Sequence, residues 1–259
     1  MIAEDYGRDG FLSPVDILTA GEAAEHRKYL EEAEAKIGPL HYKAKVHTIL
    51  TSPLALATDA RVLDVAEALI GPDILLYNVT YVIKEAGAPS HVSWHQDLTY
   101  WGFDGDAQVS MWLALSPATE ESGCMRMLPG SHLQGRHEHV PTDDQTNVLL
   151  QGQTVPDVAE ERGVMCSLDP GQASFHHGWT LHDSMPNHSK DRRIGLNVQY
   201  IAPQMRQTKS DRDSAMLVRG VDRFEHFDTD RAAECDLDPA AVERFRELDR
   251  QYVEIAGEA

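Results

Sequence analysis

Ile74-Leu75-Leu76-Tyr77-Asn78-Val79-Thr80-Tyr81-Val82-Ile83-Lys84 is the stretch from which the fold is read. Its period is two. Leu76, Asn78, Thr80, Val82 and Lys84 fall on one side and Tyr77, Val79, Tyr81 and Ile83 on the other, the alternation of a β-strand. Short segments of the same kind follow at Val92 to Leu98, Gln108 to Leu115, Cys124 to Leu128, Gly163 to Leu168, Ala173 to Phe175 and Ile194 to Ile201, broken by Gly, Pro, Asp and Ser. Short strands punctuated in this way read as an all-β barrel or jelly roll. Upstream, Thr19 is placed to cap a helix from about Ala20 to Ile37, ended by Gly38-Pro39. A second, from about Asp59 to Ile70, sets Val62, Ala66 and Leu69 on one stripe and ends at Gly71-Pro72. Between them Tyr42 to Leu50 alternates like a strand. The expected class is mainly β with flanking helices.

At 259 residues the chain is long enough for one sizeable core, so a single domain is expected. Its N-terminal helices lie within about residues 20–70 and an acidic, Arg-rich extension follows about residue 203, closing in a helix from about Pro239 to Ile255. The polar, aperiodic stretch His132 to Arg162 reads as a long excursion near the mouth of a site. Lys+Arg 23 against Asp+Glu 42 gives a net charge of -19, which repels polyanions and argues against nucleic acid and anionic membranes as partners. Cys124, Cys166 and Cys235 form no CxxC pair, in keeping with a reducing compartment. No basic start followed by an apolar run opens the chain, and no stretch approaches the roughly 18 apolar residues of a membrane span. A cytoplasmic location is expected; oligomeric state is not legible.

The chemistry starts at His95-Gln96-Asp97. In an extended strand, residues two apart project to one side, which groups His95 with Asp97. A third ligand from another strand would complete two imidazoles and a carboxylate, the facial triad of non-haem Fe(II) oxygenases. Candidates are His176, His177, His182 and His188; of the adjacent His176 and His177 only one can point inward. The same holds for Arg192 and Arg193, one of which offers a planar fork suited to clamp a carboxylate. Two His and an acid also suit Zn²⁺, so a zinc hydrolase is the rival on these residues alone. Arg126 shares a strand face with Cys124 and Leu128. If it points inward it must meet an acid of the protein or a substrate anion.

The segments Ser93-Trp94-His95-Gln96-Asp97-Leu98, Gly123-Cys124-Met125-Arg126-Met127-Leu128-Pro129-Gly130-Ser131-His132 and His182-Asp183-Ser184-Met185-Pro186-Asn187-His188-Ser189, followed by Arg193, resemble the phytanoyl-CoA dioxygenase family from about Tyr6 to Ala202. The resemblance implies a double-stranded β-helix (jelly-roll) core and an enzyme that uses Fe(II), 2-oxoglutarate and O₂. It selects His182 as third metal ligand beside His95 and Asp97, because His182 opens the run His-x-Ser-x-Pro-Asn-x-Ser. It selects Arg193, eleven residues on, for the distal carboxylate of 2-oxoglutarate. Trp112, Ser184 and Gln96 are implied near that cosubstrate, and Asn78 and Thr80 are candidates to hydrogen-bond it. Trp94, Tyr100 and Trp101 are candidates for the substrate wall, and Arg126 for a substrate anchor. Retention of Asp97, which halogenating relatives replace by a small residue, favours hydroxylation. The expected substrate is a small, free polar metabolite. Desaturation, cyclisation and epimerisation on the same centre stay open, as does a metal-binding jelly roll without oxygenase activity.

Overall fold

The computed structural model describes residues 2–149 and 152–257. Helix α1 (Ile2–Asp9) leads into strand β1 (Phe11–Asp16), and the helices α2 (Ala20–Ile37), α3 (Thr51–Ala57) and α4 (Ala60–Ile70) follow. The capping signals work as the sequence suggests. Thr19 Oγ1 accepts the Glu22 N–H at 3.2 Å while the Glu22 carboxylate accepts the Thr19 N–H at 2.7 Å, a reciprocal capping box. Asp59 accepts the Arg61 N–H at 2.8 Å to start α4. Gly38 and Gly71 end α2 and α4 with φ of 88° and 96°, where a side chain would be strained.

The strands are β2 (Ile74–Lys84), β3 (Val92–His95), β4 (Gln108–Ala114), β5 (Met125–Met127), β6 (Val140–Pro141), β7 (Gln153–Thr154), β8 (Val164–Cys166), β9 (Gln172–His176), β10 (His182–Ser184), β11 (Arg193–Ile201), β12 (Ser214–Arg219) and β13 (Asp228–Thr229), with the one-turn helix α5 (Leu98–Trp101) after β3 and the helix α6 (Pro239–Gly257) last. A seven-stranded sheet runs β1-β9-β4-β11-β2-β12-β13 and a four-stranded sheet runs β3-β10-β5-β8. All pairings in these two sheets are antiparallel except β12 with β13.

The alternation in β2 explains how the layers stack. Val79, Tyr81 and Ile83 join Met111, Leu113, Leu196, Val198 and Tyr200 in one core with residues from α2, α3 and α4. The other face of the large sheet meets the small one: Trp112 and Ala114 cluster with Met125, Met127, Cys166 and Leu168. This is a jelly roll with helices outside. The site lies between the sheets.

Several expectations shift. Tyr42 to Leu50 is not a strand. After an isolated bridge from His41 to Tyr81 the chain turns through Tyr42 and Lys45 at φ of 55° and 60° into a 3₁₀ turn at Val46–Thr48. Lys45 is drawn inward, where its amine donates to the carbonyls of Tyr77 and Ser214 and pairs with Asp230 at 3.0 Å. Lys43 pairs outside with Asp249 at 2.9 Å. The strand expected over Val92 to Leu98 stops at His95. β1, β10 and β12 are strands that the sequence pattern does not announce: β1 carries Pro14 and tolerates it at the sheet edge beside a register shift, and β10 is three residues long. The C-terminal extension is integral to the large sheet through β12, and α6 packs against α5. Among the described residues no helix is long and apolar enough to cross a membrane.

Candidate metal centre

β3 and β10 are neighbours, and His95 and His182 stand directly opposite one another, ring centroids 4.1 Å apart. Asp97 is brought to them by a turn rather than by strand alternation. Its backbone is right-handed helical (φ -58°, ψ -46°) at the start of α5. One carboxylate oxygen, Oδ1, lies 3.5 Å from His95 Nε2 and 3.8 Å from His182 Nε2, and one ligand atom from each of the three residues lies within 4.8 Å of the others. The Nδ1 atoms face backbone carbonyls, Ser93 O at 2.9 Å for His95 and Thr180 O at 3.0 Å for His182. A carbonyl only accepts, so each Nδ1 carries the hydrogen and each Nε2 lone pair is turned to the shared space. Burial, then the neighbouring His95, hold His182 well below the usual histidine range, keeping it a neutral ligand.

The other oxygen of Asp97 is occupied. His176 Nε2 lies 3.2 Å from Oδ2, and the Ser110 hydroxyl donates to it at 3.1 Å. Burial alone would raise the Asp97 carboxyl, but the hydrogen bond from His176 leads the interactions that hold it well below the usual carboxylate range. The arrangement is a carboxylate tethered through one oxygen and open through the other. Two imidazole nitrogens and one carboxylate oxygen, all from buried or half-buried residues, are a donor set that fits Fe(II) and leaves further positions for exogenous ligands.

Arg193, at the start of β11, is 1% exposed. Nη1 donates to Gly123 O at 2.6 Å, the guanidinium sits 5.0 Å from the Trp112 ring centroid, and Nε has no partner. Arg193 forms no ion pair among the described residues, and burial brings it down to about 10. An uncompensated buried guanidinium is costly, and the space beside it suits an anion. Trp112 lies across β11 because residue 195 is glycine; a Cβ there would come within 1.9 Å of the indole. Arg192 points the other way, to Glu34 at 2.9 Å and Glu85 at 3.0 Å.

The cross-strand register lays out the rest of the floor. Arg193 opposes Lys84, Asn197 opposes Thr80 and Trp112, and Gln199 opposes Asn78 and Ser110. A cavity of about 210 Å³ collects His95, Asp97, His182, Arg193, Trp112 and Ser184 on one wall-and-floor surface, with Thr80, Tyr100 and Trp101 also lining it. Thr80 Oγ1 and Asn197 Oδ1 are buried without partners. Ser184 Oγ accepts from Lys84 Nζ at 2.8 Å; burial, then Arg193, lower that amine to about 6.

Four expected site residues lie elsewhere. Gln96 donates to Gly135 O at 2.8 Å and Trp179 O at 2.7 Å and accepts the His137 N–H at 2.7 Å; it is fully used in pinning the excursion loop and does not face the cosubstrate space. Asn78 accepts the Lys45 N–H at 2.7 Å, and although it shares the β2 face of Thr80 it is not among the residues that line the cavity. Arg126 pairs with Asp183 at 2.6 Å and Glu160 at 2.9 Å and stacks 4.7 Å over the Trp94 ring. Trp94 itself clusters with Leu128, Val155 and Leu181. The alternation that turns His95 inward turns Trp94 outward, and Met125 and Met127 likewise displace Arg126. Of the other candidate ligands, His188 is exposed and His177 packs against His132 and Tyr6. Sequence reasoning missed Ser110, Asn197, Gln199 and Tyr252, and it weighs His176 as a metal ligand and not as the partner of Asp97. The inward choice between His176 and His177 was the one available signal.

Comparison with known proteins agrees with this geometry. The phytanoyl-CoA dioxygenase family model matches residues 6–195. The "probable alpha-ketoglutarate-dependent hypophosphite dioxygenase" of Stutzerimonas stutzeri is 30% identical over 152 residues, covering 57% of this chain and 52% of that protein. The chain spans about half the length of the curated relatives it matches. The apo structure of ThoJ, a non-haem monooxygenase, superimposes with a TM-score of 0.86 at 31% identity, covering 99% of this chain and 98% of that one. Its nickel complex gives 0.80 at 30%, covering 99% and 100%. The epimerase SnoN, in complex with Fe³⁺, alpha-ketoglutarate and nogalamycin RO, shares the fold at 24% identity and a TM-score of 0.67, covering 80% and 84%.

Proposed function

Because this chain belongs to the phytanoyl-CoA dioxygenase family, we propose that it is an Fe(II)- and 2-oxoglutarate-dependent oxygenase that hydroxylates a C–H bond of a small molecule. The observation that carries the reading is one cavity holding both a His-Asp-His donor set and a buried, unpaired arginine. A zinc hydrolase accounts for the donor set and leaves Arg193 without a purpose.

His95, Asp97 and His182 hold the metal. Arg193 takes the distal carboxylate of 2-oxoglutarate, backed by Trp112, with the Ser184 hydroxyl beside it. His176 and Ser110 fix the free oxygen of Asp97. Fe(II) bound there supplies reductive activation of O₂ coupled to decarboxylation of 2-oxoglutarate, so that one oxygen atom enters succinate, the other enters the substrate C–H bond, and CO₂ leaves. The protein's remaining share is to keep that chemistry dry: Tyr100 and Trp101 from α5 and the inner face of α6 roof the cavity.

Anaerobic reconstitution with Fe(II) followed by 2-oxoglutarate and air tests the assignment. Succinate forms in the wild type and is lost in His95→Ala, Asp97→Ala and His182→Ala, whereas His177→Ala retains turnover. Full activity in any one of the three variants removes that residue from the ligand set.

A further inference from the structure

The charges around the cavity are all committed, and this limits what can enter it. Among the described residues its lining contains one arginine, Arg193, and two carboxylates, Asp97 and Asp183. On the oxygenase reading Arg193 is taken by the cosubstrate and Asp97 by the metal. Asp183 is already paired with Arg126 at 2.6 Å. A charged group brought in with the substrate would find no counter-ion, and leaving a buried charge uncompensated costs several kcal/mol.

The rest of the wall is apolar or neutral. Val82, Val92, Met125 and Leu149 contribute hydrocarbon, and α6 contributes Val253 and Ala256. Of the neutral polar groups in the lining, Gln199 and Tyr252 lie away from Arg193. Gln199 is six residues further along the same face of β11, about 20 Å at strand spacing, beyond the row that carries Asn197. The Tyr252 hydroxyl, from α6, donates to Gln199 Oε1 at 3.3 Å, a long bond that a ligand group can replace. The volume is about 210 Å³, below the roughly 300 Å³ at which pockets for drug-sized ligands begin.

From these observations, and resting on the oxygenase reading, we propose that the part of the substrate entering the cavity is an uncharged, compact, largely apolar group carrying one hydrogen-bonding function, met by Gln199 and Tyr252 at the α6 end. This replaces the sequence-based expectation of a polar metabolite anchored as an anion by Arg126. Gln199 and Tyr252 are then specificity-determining residues, and α6 is part of the substrate site.

The test uses three probes of one shape: cyclohexanecarboxamide, cyclohexanecarboxylate and cyclohexylmethylammonium. Each is titrated by ligand-observed NMR into the full chain loaded with Ni(II) and saturating 2-oxoglutarate, so that Arg193 is occupied. The carboxamide binds at least ten-fold tighter than either charged probe, and Gln199→Leu weakens it about ten-fold. Tyr252→Phe, which keeps the ring and loses only the hydroxyl, weakens it about three-fold and guards against a Gln199 variant that fails to fold. A charged probe that binds as tightly as the carboxamide, no binding of the carboxamide, or carboxamide binding unmoved in both variants overturns the proposal. The 2-oxoglutarate titration that precedes the probes separates the two readings: failure of the metal-loaded wild type to bind 2-oxoglutarate counts against the oxygenase assignment, and the probe ranking counts for or against the cavity.

Discussion

Replacing His176 by Phe keeps a flat ring of similar size at a site 2% exposed and removes one of the two hydrogen bonds on Asp97 Oδ2. A hydrogen bond to a charged group contributes about 1.5–3 kcal/mol. Part of that is retained because the Ser110 hydroxyl still donates at 3.1 Å, so about 1.5–2.5 kcal/mol of carboxylate positioning is lost. At about 1.4 kcal/mol per decade this is a 10- to 60-fold weaker metal site, within the range of about 10–100-fold known for groups that orient a metal ligand. Competitive anaerobic titration of Fe(II), or of Mn(II) followed by its magnetic resonance signal, measures the dissociation constant directly. His176→Gln, whose amide can donate to Asp97, recovers most of the affinity. A merely structural role would lower thermal stability in both variants without separating them in metal affinity. Equal metal affinity in wild type and His176→Phe refutes the reasoning.

Three further outcomes follow from the same geometry. Arg193→Ala raises the 2-oxoglutarate dissociation constant at least 30-fold, since breaking a buried charge pair costs about 2–5 kcal/mol, and Arg193→Lys falls between; Arg192→Ala stays within two-fold, and the reverse order places the wrong arginine in the site. Gly195→Ala forces a methyl to within 1.9 Å of the Trp112 ring, destabilises the protein by about 1–3 kcal/mol and raises the 2-oxoglutarate KM, measured by thermal unfolding and succinate release. Arg126→Ala leaves the buried Asp183 without its side-chain partner and lowers stability by about 3–5 kcal/mol, while metal and 2-oxoglutarate affinities stay at wild-type values; a large loss of 2-oxoglutarate affinity would return Arg126 to the site.

How far the sequence reaches is set by what is local. The caps at Thr19 and Asp59 and the alternation over Ile74–Lys84 are local, and the helices and central strand lie where they were read. β10 carries His182 on three residues, too short for any period, and exists because β3 and β5 flank it. Asp97 reaches His95 by a helical turn that the two-residue spacing does not distinguish from a strand. Gln96 is diverted by the carbonyls of Gly135 and Trp179, far along the chain, and Arg126 by Asp183 on the neighbouring strand. His176 on Asp97 and Gln199 beside Tyr252 depend on register between strands and a helix distant in sequence. Ordered motifs pointed to the ligands; only the register brought in the residues that hold them.

The central claim is tested most directly by turnover under ¹⁸O₂. Protein reconstituted with Fe(II) and given 2-oxoglutarate is expected to release succinate carrying one ¹⁸O atom, in an amount that His182→Ala abolishes and Arg193→Ala lowers severalfold at 2-oxoglutarate levels just saturating for the wild type. Succinate free of ¹⁸O, or formed equally without iron, would contradict the assignment.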